Sequence, residues 1–205
     1  MIEIFHAPMT RSIRVIWLCE ELAVPYQVTT IDFSPAYRAS PEWRARNPVG
    51  KVPAMTDGDV AMFESGAMVQ WILERHGEGR LQPSPATAGS AAYLQWCWFA
   101  EATFGRATGE LANHKRAFAG ALLEPVMEEM RDRARSCVQA LDEAVRGKQY
   151  LLGDAFSGAD IMMGYSLQSF ARHVSEDLPA NAAAYRERIT ARPAFEAAVA
   201  ANRMQ

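Results

Sequence analysis

Pro53 constrains this chain more than any other residue. It closes the stretch Asn47-Pro48-Val49-Gly50-Lys51-Val52-Pro53, just ahead of apolar Ala54-Met55. Proline has no backbone donor and cannot sit inside a central ladder. A Val-Pro step between a glycine-containing turn and a short strand suits a cis peptide bond. Elsewhere such a bond costs about 2.5–4 kcal/mol, so a cis site here falls at Pro53. Val52 would then offer its N–H and C=O outside the sheet, where an extended peptide can pair as an added strand. Eleven residues on, Glu64-Ser65-Gly66 supplies a carboxylate and a helix N-terminus. Those suit an ammonium and a carboxylate respectively. The two stretches describe a pocket for a small zwitterionic peptide.

The first half alternates strand and helix signals. Ile2 to His6 reads as a strand ended by Ala7-Pro8, and Thr10 to Ala23 as a helix. Arg14 and Glu21 make its polar side, while Val15, Ile16, Leu18, Cys19 and Leu22 cover most of the rest. Tyr26 to Ile31 is a second strand, and a βαβ unit favours a parallel pair. Ser40-Pro41-Glu42 enters a short helix with a cap residue and Pro at the first position. Val52 to Met55 and Val60 to Phe63 flank Asp57-Gly58, a hairpin signal. A helix from Ser65 to His76 is closed by Gly77. This order is thioredoxin-like.

Glu78 to Ser90 is rich in glycine and proline and reads as a linker. Only helical signals follow: an aromatic helix over about Ala91 to Asn113, then one over about Ala121 to Val145, where Glu129 and Arg133 form an i,i+4 pair. At Phe156-Ser157-Gly158-Ala159-Asp160-Ile161 a further helix begins. Ser157 can cap it, Asp160 can return a bond to the Ser157 N–H, and Phe156 and Ile161 hold the staple positions. The expected division is an α/β domain over 1–78, a linker over 79–90 and an all-α domain over 91–205.

Composition narrows the class. A net charge of −3 gives no electrostatic reason to expect nucleic acid. No apolar run reaches the length of a membrane span, and the N-terminus lacks the pattern of a secretory signal. Three scattered cysteines, Cys19, Cys97 and Cys137, argue against a disulfide framework and for a reducing cytoplasm. There is no Cys-x-x-Cys, and the four histidines show no metal-ligand spacing, so neither a dithiol redox motif nor a metal site is expected.

Asn47 to Pro53, Glu64-Ser65 and the Ser157 helix start, in this order, resemble the glutathione transferase family across the whole chain. The resemblance implies an N-terminal thioredoxin-like domain that binds glutathione and an all-helical C-terminal domain. It implies that Val52, before the cis-proline Pro53, pairs with the cysteinyl backbone. Glu64 and Ser65 would hold the γ-glutamyl end, and Lys51 would meet the glycyl carboxylate. The activity implied is conjugation of the glutathione thiolate to a small hydrophobic electrophile, as in detoxification. A glutathione-dependent peroxidase, reductase or isomerase is the enzymatic alternative, and a non-catalytic binding protein the other. A two-fold homodimer is implied, in which the helix from Ser65 to His76 meets the partner's long helices near Ala91 to Asn113 and Glu101 reaches a partner's site.

Thiol activation directs attention to the loop Pro8 to Ser12. A free thiol titrates near 8.5, and lowering that by about two units takes roughly 2.7 kcal/mol. One or two hydrogen bonds to the anion, at roughly 1.5–3 kcal/mol each, suffice. Many classes of the family place Tyr, Ser or Cys here, and counting back from Val15 puts that position at Met9, which has no donor. Thr10 is the preferred hydroxyl and Ser12 the second, with a backbone N–H at the helix start also open. Thr10 can equally be a plain N-cap, and Ser12 an exposed first-turn residue. Arg11 can add positive charge near the sulfur. For the wall of an apolar electrophile cleft the candidates are Met9, Trp98, Phe99, Phe104 and Phe118.

Overall fold

The computed structural model describes residues 1–202. It contains two compact units: Met1–Arg80 with the C-terminal segment starting at Ala191, and Leu81–Thr190.

The first unit is built on a four-stranded sheet in the order β2-β1-β3-β4. β1 (Ile2–His6) pairs parallel with β2 (Tyr26–Thr30) through α1 (Ser12–Leu22), as the βαβ reading expects. β3 (Ala54–Asp57) runs antiparallel to β1 and to β4 (Val60–Phe63). The third strand therefore starts one residue after Pro53, not at Val52, because proline cannot donate to the ladder. Two short helices lie between β2 and β3: α2 (Pro35–Ala39), absent from the sequence reading, and α3 (Pro41–Arg46). Ser34 and Ser40 cap them by accepting from the N–H groups of Tyr37 and Trp43.

Helix α4 (Ser65–His76) ends at Gly77 in right-handed conformation, and the left-handed turn comes at Glu78. Gly77 is needed for a different reason than the one anticipated. A Cβ there would lie 2.3 Å from the Leu73 carbonyl oxygen, so only glycine lets the chain turn this closely.

The polar stripe expected along α1 does not face water. Arg14 is fully buried, and Glu21 pairs with Arg192 at 2.6 Å and 2.7 Å. Trp17 on the same helix packs edge-on against Phe195 of α10 (Pro193–Ala201), with ring centroids 4.8 Å apart. The last helix thus belongs to the first unit.

The second unit is helical throughout its regular elements. The long aromatic helix is realised as α5 (Ala88–Trp98), a π-helical turn over Phe99–Phe104 and α6 (Gly105–Ala117). α7 (Glu124–Val145), α8 (Gly158–His173) and α9 (Ala180–Thr190) complete it. The Glu129–Arg133 pair forms at 2.7 Å. At the start of α8 the Asp160 carboxylate accepts from the Ser157 N–H at 2.8 Å, the returned bond of a capping box. Asp160 also accepts from the Leu151 N–H and the Tyr185 hydroxyl, joining α8 to α9 and to the preceding loop.

Candidate active site at one end of the sheet

The register brings three distant segments to one place. Phe5 pairs with Ala54, and Ala54 with Phe63. One residue further along each strand lie His6, Pro53 and Glu64. The loop after β1, the turn before β3 and the start of α4 therefore meet at the same end of the sheet.

The turn before β3 is fixed from both sides. Gly50 has φ +63°, and a Cβ on it would come within 2.6 Å of the Arg38 carbonyl oxygen. Buried Asn47 accepts from the N–H groups of Val49 and Gly50, and Arg44 donates to the Pro48 carbonyl. The Val52–Pro53 peptide bond is cis. The Val52 side chain packs against the buried cluster of Phe5, Trp43 and Ala54. Among the described residues, none pairs with the Val52 N–H or C=O. Its side chain anchors the turn and leaves the backbone edge open, which suits an added strand. Pro53 is buried, and Lys51 beside them is exposed.

Glu64 is exposed and has φ 77°, a value disfavoured for a residue with a Cβ. Such a conformation costs about 1–3 kcal/mol and clusters at functional positions. Glu64 occupies the N-cap of α4 but makes no side-chain cap bond, so the carboxylate is not used in capping. Ser65 is 3% exposed, and its hydroxyl accepts from Arg14 Nη1 at 3.1 Å. That bond ties α1 to α4. An arginine enclosed by Ile13, Val15, Ile16 and Leu18 was the available sequence signal for Arg14, and amphipathic reasoning passed over it.

The loop after β1 holds the hydroxyls. Thr10 does not cap α1: Arg11, half-buried, stands at the N-cap without a side-chain cap bond. Thr10 Oγ1 instead donates to the Ala7 carbonyl at 2.7 Å, and it lies 2.6 Å from Ser12 Oγ. Ser12 is wholly buried rather than exposed in the first turn. Its Oγ lies 3.0 Å from Nδ1 of His6, itself wholly buried. Burial pushes the His6 pKa down, so the imidazole stays neutral. Its Nε2 has no hydrogen-bond partner among the described residues. Met9 is 61% exposed at φ 62°. Of the two candidate residues, Thr10 is half-buried and Ser12 wholly enclosed.

Two of the three cysteines are poorly placed as nucleophiles. Burial pushes the Cys19 thiol up to about 12 and Cys137 up to about 11. Cys137 lines a groove of about 540 Å³ in the second unit, where Glu110 pairs with Arg106 and Arg133. Of the proposed wall residues, Phe104 is core: it is fully buried and packs against Phe170 at 6.1 Å. Trp98 and Phe118 are 67% and 52% exposed, and Phe99 is half-buried.

Family models agree with this architecture. The N-terminal domain model of glutathione S-transferase matches residues 2–74, and its C-terminal domain model residues 124–199. The chain belongs to the glutathione S-transferase family. Among its relatives is glutathione S-transferase 3 of Zea mays, 25% identical over 98% of this chain and 94% of that protein. The disulfide-bond oxidoreductase YfcG of Escherichia coli K12 is 27% identical over 95% of this chain and 92% of that protein. Among solved structures, a Burkholderia graminis glutathione transferase with two glutathione molecules bound per subunit superposes with a TM-score of 0.87. It is 25% identical and is matched over 100% of this chain and 89% of its own. As a member of this family, the chain has its α/β unit followed by helices, and among the described residues no helix is long and apolar enough to cross a membrane.

Proposed function

We propose that this protein binds glutathione at the sheet end and conjugates its thiolate to a small hydrophobic electrophile. The reading is carried by the convergence of an unpartnered Val52 backbone, a helix start at Ser65 and the half-buried Thr10. Val52 would pair with the cysteinyl residue of glutathione. The exposed Glu64 carboxylate would take the γ-glutamyl ammonium, and the N-terminus of α4 at Ser65 the carboxylate beside it. Lys51 would answer the glycyl carboxylate.

Catalysis then requires the sulfur as an anion. Thr10 rotates its O–H from the Ala7 carbonyl toward the sulfur and stabilises the thiolate by a charge-assisted bond. Arg11 adds positive charge nearby. The thiol proton passes to water, and the anion, held in place, forms the carbon–sulfur bond as the electrophile expels its leaving group with the bonding pair, so activation and proximity supply most of the rate. Turnover with a generic aryl electrophile tests the reading; no turnover in the presence of calorimetrically demonstrated glutathione binding would refute conjugation.

A second reading rests on the likeness to the disulfide-bond oxidoreductase: the bound thiolate attacks a disulfide instead of a carbon electrophile. Comparing rates with a hydroperoxide, a small disulfide and an aryl electrophile separates the two. We further propose a cytoplasmic two-fold homodimer in which α4 of one subunit meets the α5–α6 face of its partner. The exposed Leu94 and Trp98 support such a cover, at 48% and 67% exposure. A monomer at micromolar concentration by light scattering would refute it, and with it a role for Glu101 in a partner's site.

A further inference from the structure

Three side chains behind the proposed thiol site share too few protons to be arranged in more than one way. Thr10 and Ser12 carry one hydroxyl proton each, and the Ala7 carbonyl can only accept. The 2.7 Å contact from Thr10 Oγ1 to the Ala7 oxygen uses the Thr10 proton. The 2.6 Å contact between the two hydroxyls must then use the Ser12 proton. Ser12 also lies 3.4 Å from the Ala7 oxygen, too long to compete with the shorter bond. With both hydroxyl protons assigned, the 3.0 Å contact between Ser12 Oγ and His6 Nδ1 requires a proton on Nδ1. The unpartnered Nε2 is then a bare lone pair. This is the cheaper arrangement, since an orphaned buried N–H is rarer than an under-used acceptor.

We infer that His6 and Ser12 are positioning residues for the thiol-activating hydroxyl, forming a directed chain from His6 Nδ1–H to Ser12 and from Ser12 to Thr10. The inference rests on the reading of Thr10 given above. No proton leaves any member; the chain acts by orientation and polarisation. Ser12 occupies a lone pair of Thr10, so the Thr10 proton can only point away, to Ala7 or to a ligand sulfur. Each bond also strengthens the next, by about 10–30% in a low-dielectric interior. Among the described residues, Ser12 is the one polar partner of the buried His6 side chain.

Nitrogen NMR of the glutathione-free protein reads the tautomer without any substitution. A proton on Nδ1 is expected, and a proton on Nε2 would overturn the chain. Function is read from the ultraviolet absorbance of bound thiolate against pH. His6→Leu removes the donor and should raise the bound thiol's pKa by about half a unit, a share of the shift one charged hydrogen bond provides. Turnover should fall about threefold below that pKa and be unchanged well above it. Substituting His6→Asn, which keeps an N–H near the Nδ1 position, should restore most of the loss. Should His6→Leu not fold, Ser12→Ala breaks the same chain at its centre and should give the same shift. If Thr10→Val raises the thiol pKa while His6→Leu and Ser12→Ala do not, the chain is refuted and Thr10 stands. Equal losses in the Leu and Asn variants of His6 would reduce it to packing. If Thr10→Val itself moves nothing, the reading of Thr10 fails and the chain with it.

Discussion

Two polar clusters, one in each unit, are treated oppositely. At the start of α8, the two oxygens of Asp160 each accept two bonds: from Leu151 and Tyr185 on one, and from the N–H and hydroxyl of Ser157 on the other. Burial lifts the Asp160 pKa, and those bonds pull against the lift. At the end of the sheet, His6 keeps an unused nitrogen, Val52 an unused backbone edge and Glu64 a disfavoured φ. A cluster that serves only the fold saturates its donors and acceptors, because each one left buried and unpaired costs about 1–3 kcal/mol. A cluster that must receive something retains capacity, and pays in stability.

The largest effect expected from breaking this contrast lies at Asp160. Asp160→Ala strands the Leu151 and Ser157 N–H groups and the Tyr185 hydroxyl, and should cost about 3–5 kcal/mol in urea unfolding. A loss below about 1 kcal/mol would mean that water replaces the carboxylate and the cluster is not structural. Next comes Thr10→Val, which should raise the bound thiol's pKa by about one to two units and cut neutral turnover roughly ten- to a hundredfold. Glutathione affinity and the unfolding midpoint should hardly move, so a large drop in either would put Thr10 on the structural side.

Glu64 offers the sharpest test, since the two properties should move in opposite directions. Glu64→Gly relieves the positive φ and should gain about 1 kcal/mol of stability. It should also weaken glutathione binding by about 1–2 kcal/mol in calorimetry through loss of the carboxylate. Unchanged affinity in this variant or in Glu64→Ala would overturn the ammonium site. The smallest effect concerns pH. Burial lowers the His6 pKa in the folded state below its ordinary 6.5. As pH falls from 6.5 toward that lowered value, the unfolded chain binds the proton and the folded one does not, so stability declines. In His6→Asn the slope of unfolding free energy across that window should flatten; an identical slope would show that His6 does not remain neutral on folding.

Local chemistry made much of the fold legible. A strand ended by Ala7-Pro8, a cap and proline at Ser40-Pro41, and a Ser-x-x-Asp helix start are each decided within a few residues. The parallel pairing of β1 with β2 followed because a βαβ unit favours it. The stretches that resemble the family's glutathione-binding segments were readable for the same reason: Pro53 acts through its own missing donor, and Glu64-Ser65 through the end of its own helix. Regularity misled where a local pattern had two realisations. The aromatic run after Ser90 reads as one helix, and the π turn at Phe99–Phe104 leaves no periodic mark of its own.

What the sequence by itself determined is therefore the set of elements, the turn before β3 and the residues that could bind a small peptide. Tertiary structure alone decided which polar residues are enclosed. Arg14 is a surface residue by periodicity, yet its hydrogen-bond partner lies 51 positions away on another helix. Glu21 finds Arg192 across 171 positions, and with it α10 joins the first unit. His6, Ser12 and Thr10 are close in sequence, but whether a hydroxyl faces solvent, a carbonyl or an imidazole depends on how β1 and α1 pack. Propensities and caps act over one turn or one pair of strands. Desolvation and hydrogen-bond partnership depend on everything within a few ångströms, and only the folded chain supplies that.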